Sequence, residues 1–200
     1  MRIAILATDA QWKEVNSGNQ QAGCFRMNSI ENMPVDADAY LLLQDTPTFD
    51  FNVTTRPILI NSVCRTLKDM NAPVNVIRIN GWNGFLSRPT WEISGQIDES
   101  IEKVFSALGK KTASLPDLPG FVTPRVISMI INEAFFALEE KLSTKADIDT
   151  AMKLGTNYPY GPFEWASLIG VEKIFELLGQ LSIHEKRYVP ATLLKAAATA

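Results

Sequence analysis

The first candidate for acid–base chemistry in this chain is a carboxylate on a predicted strand. Glu92 lies in Thr90–Ser94, where alternating residue types predict a strand. A glutamate that faces a cleft can orient a neighbouring group or take up a proton. A lone strand glutamate is more often solvated or paired with an arginine, here Arg78 or Arg88. Both interpretations stay open at this point.

A histidine base is not expected. The one histidine, His184, is followed by Glu185, Lys186 and Arg187, which predict a solvated helix face or loop. Cys64 has no histidine close to it in sequence, so we expect a buried thiol and not a nucleophile.

The turn after the first predicted strand bears on nucleotide binding. It reads Thr8-Asp9-Ala10-Gln11-Trp12 and contains no glycine. A dinucleotide pyrophosphate must approach bare backbone N–H groups at a helix N-terminus, and Asp9 would repel it. The segment is either an altered NAD pocket or an ordinary strand-to-helix turn with Asp9 as the N-cap, and we expect the second.

The first half of the chain supplies the elements that would position these residues. Short apolar runs, typical of strands buried on both faces, occur at Ile3–Ala7, Ala39–Leu43, Pro57–Ile60 and Val74–Ile79. Lys110–Leu115 predicts a last strand, Val63–Met70 a short helix, and Ile97–Leu108 a longer helix that ends at Gly109. This half is predicted to be α/β, and it is short for a complete dinucleotide fold with about six strands.

The second half is predicted to be helical. Leu115–Gly120 contains two prolines and a glycine, so we place a boundary between residues 1–115 and 116–200. Apolar spacing predicts a helix from Pro124 to Leu142, and a second helix that starts at Thr144 and ends at Gly155. Further helices are predicted at Pro162–Leu168 and Val171–Leu178 and in the alanine-rich tail after Pro190.

Composition excludes several classes of protein. A net charge of -3 with no long run of like charges predicts neither a nucleic-acid partner nor an anionic membrane surface. Two cysteines cannot form a disulfide framework or a four-cysteine zinc site, and no metal is expected. The amino-terminal apolar run is too short for a signal peptide, so we expect a cytoplasmic protein.

Four linked motifs then indicate a family. They are the Pro119-Gly120-Phe121 turn, Asn132-Glu133-Ala134 in the long helix, the stretch Asp147–Gly155, and Gly161-Pro162-Phe163-Glu164 followed by Gly170. In order and spacing, residues 116–170 resemble the start of the C-terminal helical domain of the 3-hydroxyacyl-CoA dehydrogenase family. The resemblance implies a truncated Rossmann-like α/β domain followed by an all-α domain that dimerises, with acyl-CoA held near the joint between them.

The resemblance also implies where the catalytic pair would lie. The family's strand-loop-strand segment resembles Asn80-Gly81-Trp82-Asn83 through Glu92 here, so Glu92 and Asn83 match while Asn80 stands at the histidine position. An amide cannot take a proton at ordinary pH. Asn61 and Ser62 lie at a second family strand end, where Val63 stands at a serine position. Pro124 stands at an asparagine position.

We therefore predict a family member with a degenerate site. Its candidate catalytic residues are Glu92 and Asn80, and its candidate substrate-binding residues are Asn61, Ser62 and Asn83. We expect that NAD, the family's cofactor, does not bind. We expect an acyl-CoA ligand and a homodimer formed through the helical domain. Two alternatives stay open: a working NAD-dependent dehydrogenase with a rearranged site, and a non-enzymatic dimerisation module.

Overall fold

The computed structural model describes residues 1–17, 23–44 and 49–199. It divides into two compact units, Met1–Phe121 and Val122–Ala200. The first contains a sheet with helices and the second contains helices, as the sequence predicts. In the described residues, no helix is both long and apolar enough to cross a membrane.

In the described residues of the first unit, seven strands form one sheet. They are β1 (Arg2–Leu6), β2 (Gly23–Arg26), β3 (Ala39–Leu42), β4 (Ile58–Asn61), β5 (Val76–Ile79), β6 (Thr90–Ser94) and β7 (Lys111–Ser114). Their spatial order is β2-β1-β3-β4-β5-β6-β7. Strands β1 to β5 are parallel, β6 is antiparallel to β5, and β7 is parallel to β6.

The strand order fixes where a ligand crevice would form. The chain starts at β1, places β2 on one side of it and β3 on the other, and then continues outward. In such open parallel sheets the crevice lies beyond the carboxyl ends of the strands where the order reverses, here between β1 and β3. The turns that follow Leu6 and Leu42 therefore border it.

The two faces of the sheet are covered differently. Helices α1 (Asp9–Val15) and α2 (Glu99–Ala107) cover one face, where Val15, Val104 and Phe105 pack with Ile5 and Leu41. On the opposite face, the described covering residues include loops and 3₁₀ turns at Ile30–Asn32 and Phe51–Val53. Burial of these apolar side chains is the main stabilising contribution to the unit.

The helical unit contains five α-helices: α3 (Thr123–Glu139), α4 (Lys145–Thr156), α5 (Pro162–Ile169), α6 (Val171–Ser182) and α7 (Thr192–Ala198). Helix α3 contacts α5, α6 and α7 and is the centre of the unit. Its buried stripe includes Ile127, Ile131 and Ala134, as the sequence spacing predicts. Asn132 ties the tail to it, since its side chain donates to Val189 O and accepts from Ala191 N.

Several predictions about single elements are wrong. The N-cap of α1 is Thr8, whose hydroxyl accepts from Gln11 N, and Asp9 is the first helical residue. Val63–Met70 forms turns and not a helix, because Thr66 and Asp69 bond reciprocally and close a local turn. Helix α6 continues through Gly179 to Ser182. Strand β2 was not predicted.

Candidate functional site

The candidate catalytic residues lie together at the end of the sheet. Asn80 follows β5 and Glu92 lies on the neighbouring β6, and Asn80 Nδ2 donates to Glu92 Oε2 at 3.1 Å. The backbone holds the pair in place, since Asn80 N donates to Glu92 O at 3.1 Å. Asn80 is buried, and its Oδ1 accepts from Trp82 N at 3.4 Å. The pair can donate hydrogen bonds, but the amide cannot accept a proton.

The candidate substrate-binding residues are less concentrated. Asn61 is buried at the end of β4, donates to Leu43 O at 3.0 Å and accepts from Gly81 N at 3.0 Å. The Ser62 hydroxyl donates to Arg65 O at 2.8 Å within its own turn. Asn83 is half-buried in the connection between β5 and β6.

The interaction of Asn61 with Gly81 explains why a glycine follows Asn80. A Cβ added at Gly81 would lie 2.7 Å from Asn61 Cβ, which no real pair of carbons tolerates. The glycine therefore allows the strand ends of β4 and β5 to approach closely, with the Asn61 amide between them.

Sequence reasoning missed Gln11, the residue that occupies the crevice between β1 and β3. Its Nε2 donates to Leu43 O at 2.9 Å and to Gly81 O at 3.3 Å, while its Oε1 accepts from Thr8 N at 3.0 Å and from the Thr8 hydroxyl at 3.1 Å. Both donors and the carbonyl oxygen are thus in use, and Gln11 is only 2% exposed. The spacing Thr8-x-x-Gln11 is a capping-box pattern and could have indicated the local half of this arrangement.

The residues after β1 and β2 do not fit a dinucleotide. The backbone N–H groups of Thr8 and Gln11, which a phosphate would need, already donate to the capping box. At the end of β2, where a carboxylate would bind the ribose of NAD, stands Arg26, a residue type that suits the 2′-phosphate of NADP but is engaged within the protein here. Arg26 pairs with Asp9 at 2.6 Å and donates to Ala7 O at 2.8 Å.

Three other sequence predictions can be placed. Arg78, one suggested partner of Glu92, forms an ion pair with Asp117, and Arg88 lies over the Phe85 ring. His184 is exposed in the helical unit. Pro124 is buried in the first turn of α3, where a missing N–H is tolerated and no side-chain donor is available.

Comparison with known proteins gives the relationships of the chain. Residues 120–200 match the family model for the 3-hydroxyacyl-CoA dehydrogenase C-terminal domain. A 3-hydroxyadipyl-CoA dehydrogenase of Escherichia coli is 46% identical over 89 residues, which are 44% of this chain and 19% of that protein. A 3-hydroxybutyryl-CoA dehydrogenase of Clostridioides difficile is 29% identical over 159 residues, covering 76% of this chain and 56% of that protein.

The fold of the chain also has a solved counterpart. The crystal structure of (S)-3-hydroxybutyryl-CoA dehydrogenase from Ralstonia eutropha matches with a TM-score of 0.71 and 20% identity, over 98% of this chain and 92% of that one. The chain thus spans between about a fifth and somewhat over half of the length of these two curated relatives. The helical motifs, the family-model match and these relatives together relate residues 120–200 to the C-terminal domain of the 3-hydroxyacyl-CoA dehydrogenase family and support the same relationship for the rest of the chain.

Proposed function

We propose that this chain binds an acyl-CoA and does not catalyse NAD-dependent hydride transfer on its own. The observation that carries the proposal is the Gln11 side chain, which bonds to Leu43 O and Gly81 O across the strand ends where a dinucleotide would enter. A cofactor would have to displace these bonds and the capping box before it reached bare backbone. Proximity of two reactants supplies about 7–11 kcal/mol of a typical barrier reduction, and none of it is available without a bound cofactor.

The absence of a proton acceptor at residue 80 supports the same proposal. Oxidation of a hydroxyl group to a ketone requires a base within hydrogen-bond reach, and the amide of Asn80 is not one. The bond from Asn80 to Glu92 keeps the geometry of a donor next to a carboxylate. Such a pair suits recognition of a ligand oxygen more than proton transfer.

Acyl-CoA binding is inferred from the relatives and from the polar residues that remain. The relatives named above carry 3-hydroxyadipyl-CoA and 3-hydroxybutyryl-CoA in their names. Asn61 ends β4, Asn80 follows β5, and Glu92 lies in the middle of the neighbouring β6, where Asn80 bonds to it. Asn83 and Ser62 lie in the connections that follow two of these strands.

Calorimetric titration of the purified chain tests both halves of the proposal. Acetoacetyl-CoA is expected to bind, NADH is expected to show no binding at micromolar concentration, and Asn80→Ala is expected to weaken acetoacetyl-CoA binding. Asn52→Ala serves as a control, because Asn52 is exposed in a 3₁₀ turn. A micromolar dissociation constant for NADH, about -8 kcal/mol, refutes the cofactor half. Absence of acetoacetyl-CoA binding refutes the ligand half and favours a non-enzymatic module.

A further inference from the structure

The side chain of Arg78, on β5, fastens separate parts of the first unit to one another. It is fully buried. Its Nε donates to Ser62 O at 2.9 Å, its Nη2 to Val63 O at 3.2 Å, and both terminal nitrogens reach Leu118 O at 3.3–3.4 Å. Nη1 also donates to the carboxylate of Asp117. A guanidinium has five N–H donors, so this set accounts for all of them.

The segment Asp117–Phe121 is held at both ends by these contacts. The Asp117 carboxylate also accepts from Leu67 N at 3.0 Å and from Lys68 N at 3.3 Å. Gly120 N donates to Val63 O at 2.8 Å, the same carbonyl that Arg78 reaches. At the far end the Phe121 ring lies 4.7 Å from the guanidinium carbon.

The backbone of this segment needs that support. Phe121 has a φ of 44°, in the left-handed region that bulky residues rarely adopt, and it follows Gly120 at 92°. A residue in such a conformation persists only where its surroundings fix it. Phe121 is 5% exposed under Arg78, whereas Leu118 is 55% exposed, so the segment lies at the surface of the unit.

We propose that Asp117–Phe121 form a latch that Arg78 holds closed. With the latch closed, the chain leaves the first unit at Phe121, directly before α3. With the latch open, the stretch after β7, from Leu115 to Val122, becomes a flexible connection. The latch sets how much of the chain after β7 is fixed to the first unit, and it shares the turn at Ser62 and Val63 with the proposed ligand site.

Hydrogen exchange of the whole chain, read by mass spectrometry at amide resolution, tests the latch. In Arg78→Lys an ammonium group replaces the guanidinium and its five N–H donors. In Asp117→Ala the carboxylate is removed. Both variants are expected to speed exchange of the Gly120 and Leu67 amides about tenfold or more, while the amides of β1 and β3 keep their rates. Controls are Arg88→Lys, an exposed arginine stacked on a ring, and Asp50→Ala, an exposed turn cap.

Two results overturn the latch. One is unchanged exchange at Gly120 and Leu67 in both variants. The other is an equal increase, in both variants, of the exchange rates of the Gly120 and Leu67 amides and of the β1 and β3 amides. That result would mean that the whole unit unfolds. If Arg78→Lys does not fold, Asp117→Ala decides alone, because the Asp117 side chain is 30% exposed and Arg78 keeps its bonds to the carbonyls of Ser62, Val63 and Leu118.

Discussion

Asn80 Nδ2 lies 3.1 Å from Glu92 Oε2, so the side chain after β5 contacts the side chain on β6. The contact is present although residue 80 is an amide and not the histidine that the resemblance implies. The backbone bond from Asn80 N to Glu92 O fixes the register that makes this contact possible. An imidazole at residue 80 would be in place to pair with the same carboxylate. The arrangement therefore separates two requirements of catalysis, the geometry of the pair and the chemistry of the base.

The first prediction concerns that base. Asn80→His is expected to restore a His–Glu pair and still to show no dehydrogenase activity, because Gln11, Val63 and Pro124 are unchanged. The assay is 3-hydroxybutyryl-CoA oxidation followed by NADH absorbance in the wild type and the variant. Turnover in the wild type would overthrow the degenerate site and favour a working dehydrogenase. Turnover in the variant alone would show that the cofactor site is intact.

The second prediction concerns Gln11. In Gln11→Met the side-chain volume is kept, but Thr8 N and Gly81 O lose their partners, whereas Leu43 O keeps Asn61. The free energy of unfolding is expected to fall by about 1–3 kcal/mol, because Gly81 O is buried and left unpaired, whereas Thr8 is exposed and its N–H can bond to water. Chemical denaturation measures it, with exposed Gln96→Met as the control. Equal stability of the two variants would show that the hydrogen bonds of Gln11 contribute nothing to the free energy of unfolding.

The sequence predicts the parts of this site that depend on local pattern and misses those that depend on distant contacts. The strand at Thr90–Ser94 follows from alternating residue types, and the contact between Asn80 and Glu92 follows from the resemblance of their segment to the family's strand-loop-strand motif. The partners of Gln11 lie 32 and 70 residues away, and Asp117 lies 39 residues from Arg78, so no local pattern indicates them. Strand β2 escaped prediction because Gly23-Cys24-Phe25-Arg26 has one large apolar residue and neither a run nor an alternation.

A third prediction compares two glycines of the helical unit. A Cβ at Gly161 would lie 2.3–2.4 Å from the Asp149 side chain, whose Oδ1 accepts from Phe163 N at the start of α5. Gly161→Ala is therefore expected to lower stability by about 1–3 kcal/mol. Gly179 lies inside α6 with nothing within 4 Å, so Gly179→Ala is expected to raise stability by about 0.5–1 kcal/mol.

Thermal or urea unfolding measures both glycine variants. Combining Gly161→Ala with Asp149→Ala is expected to cost less than the sum of the two single changes, since the second change removes Cγ and Oδ1, two of the three atoms that clash, and leaves Cβ. Additive losses, or a neutral Gly161→Ala, would contradict the proposed clash with Asp149.

The fourth prediction is that the chain dimerises through the helical unit. In α4, all of whose residues are described, Asp149 alone is buried, and Leu154 is 83% exposed. Because α4 has twelve residues and so little of its surface is covered by the rest of the chain, we expect a second copy of the chain to pack against it. Light scattering is expected to give twice the 22.2 kDa of the chain. Leu154→Asp is expected to shift it towards the monomer and Val74→Asp, at a 77% exposed valine of the other unit, is not. A wild-type monomer at micromolar concentration would refute the dimer.

The last prediction uses the opposite pKa shifts of two lysines. Burial lowers the pKa of Lys110, and the smaller effect of the Glu14 charge raises it. The Nζ of Lys110 donates to Leu86 O at 2.8 Å and to Arg88 O at 2.9 Å. The ion pair with Glu99 raises the pKa of exposed Lys103. Between the lowered folded pKa of Lys110 and the ordinary lysine value of about 10.4, the unfolded chain binds more protons, so stability rises with pH. For Lys103 the contribution is present below the ordinary value and is lost as pH rises through the raised pKa.

Urea unfolding between about pH 8 and about pH 11 separates the two signs. The stability of the wild type minus that of Lys110→Met is expected to increase with pH up to the ordinary lysine value, because that variant lacks the titration. The same difference for Lys103→Met is expected to decrease at the alkaline end. Parallel curves for the two variants would mean that Lys110 titrates like a solvated lysine and that its bonds to Leu86 and Arg88 do not hold it in the folded unit.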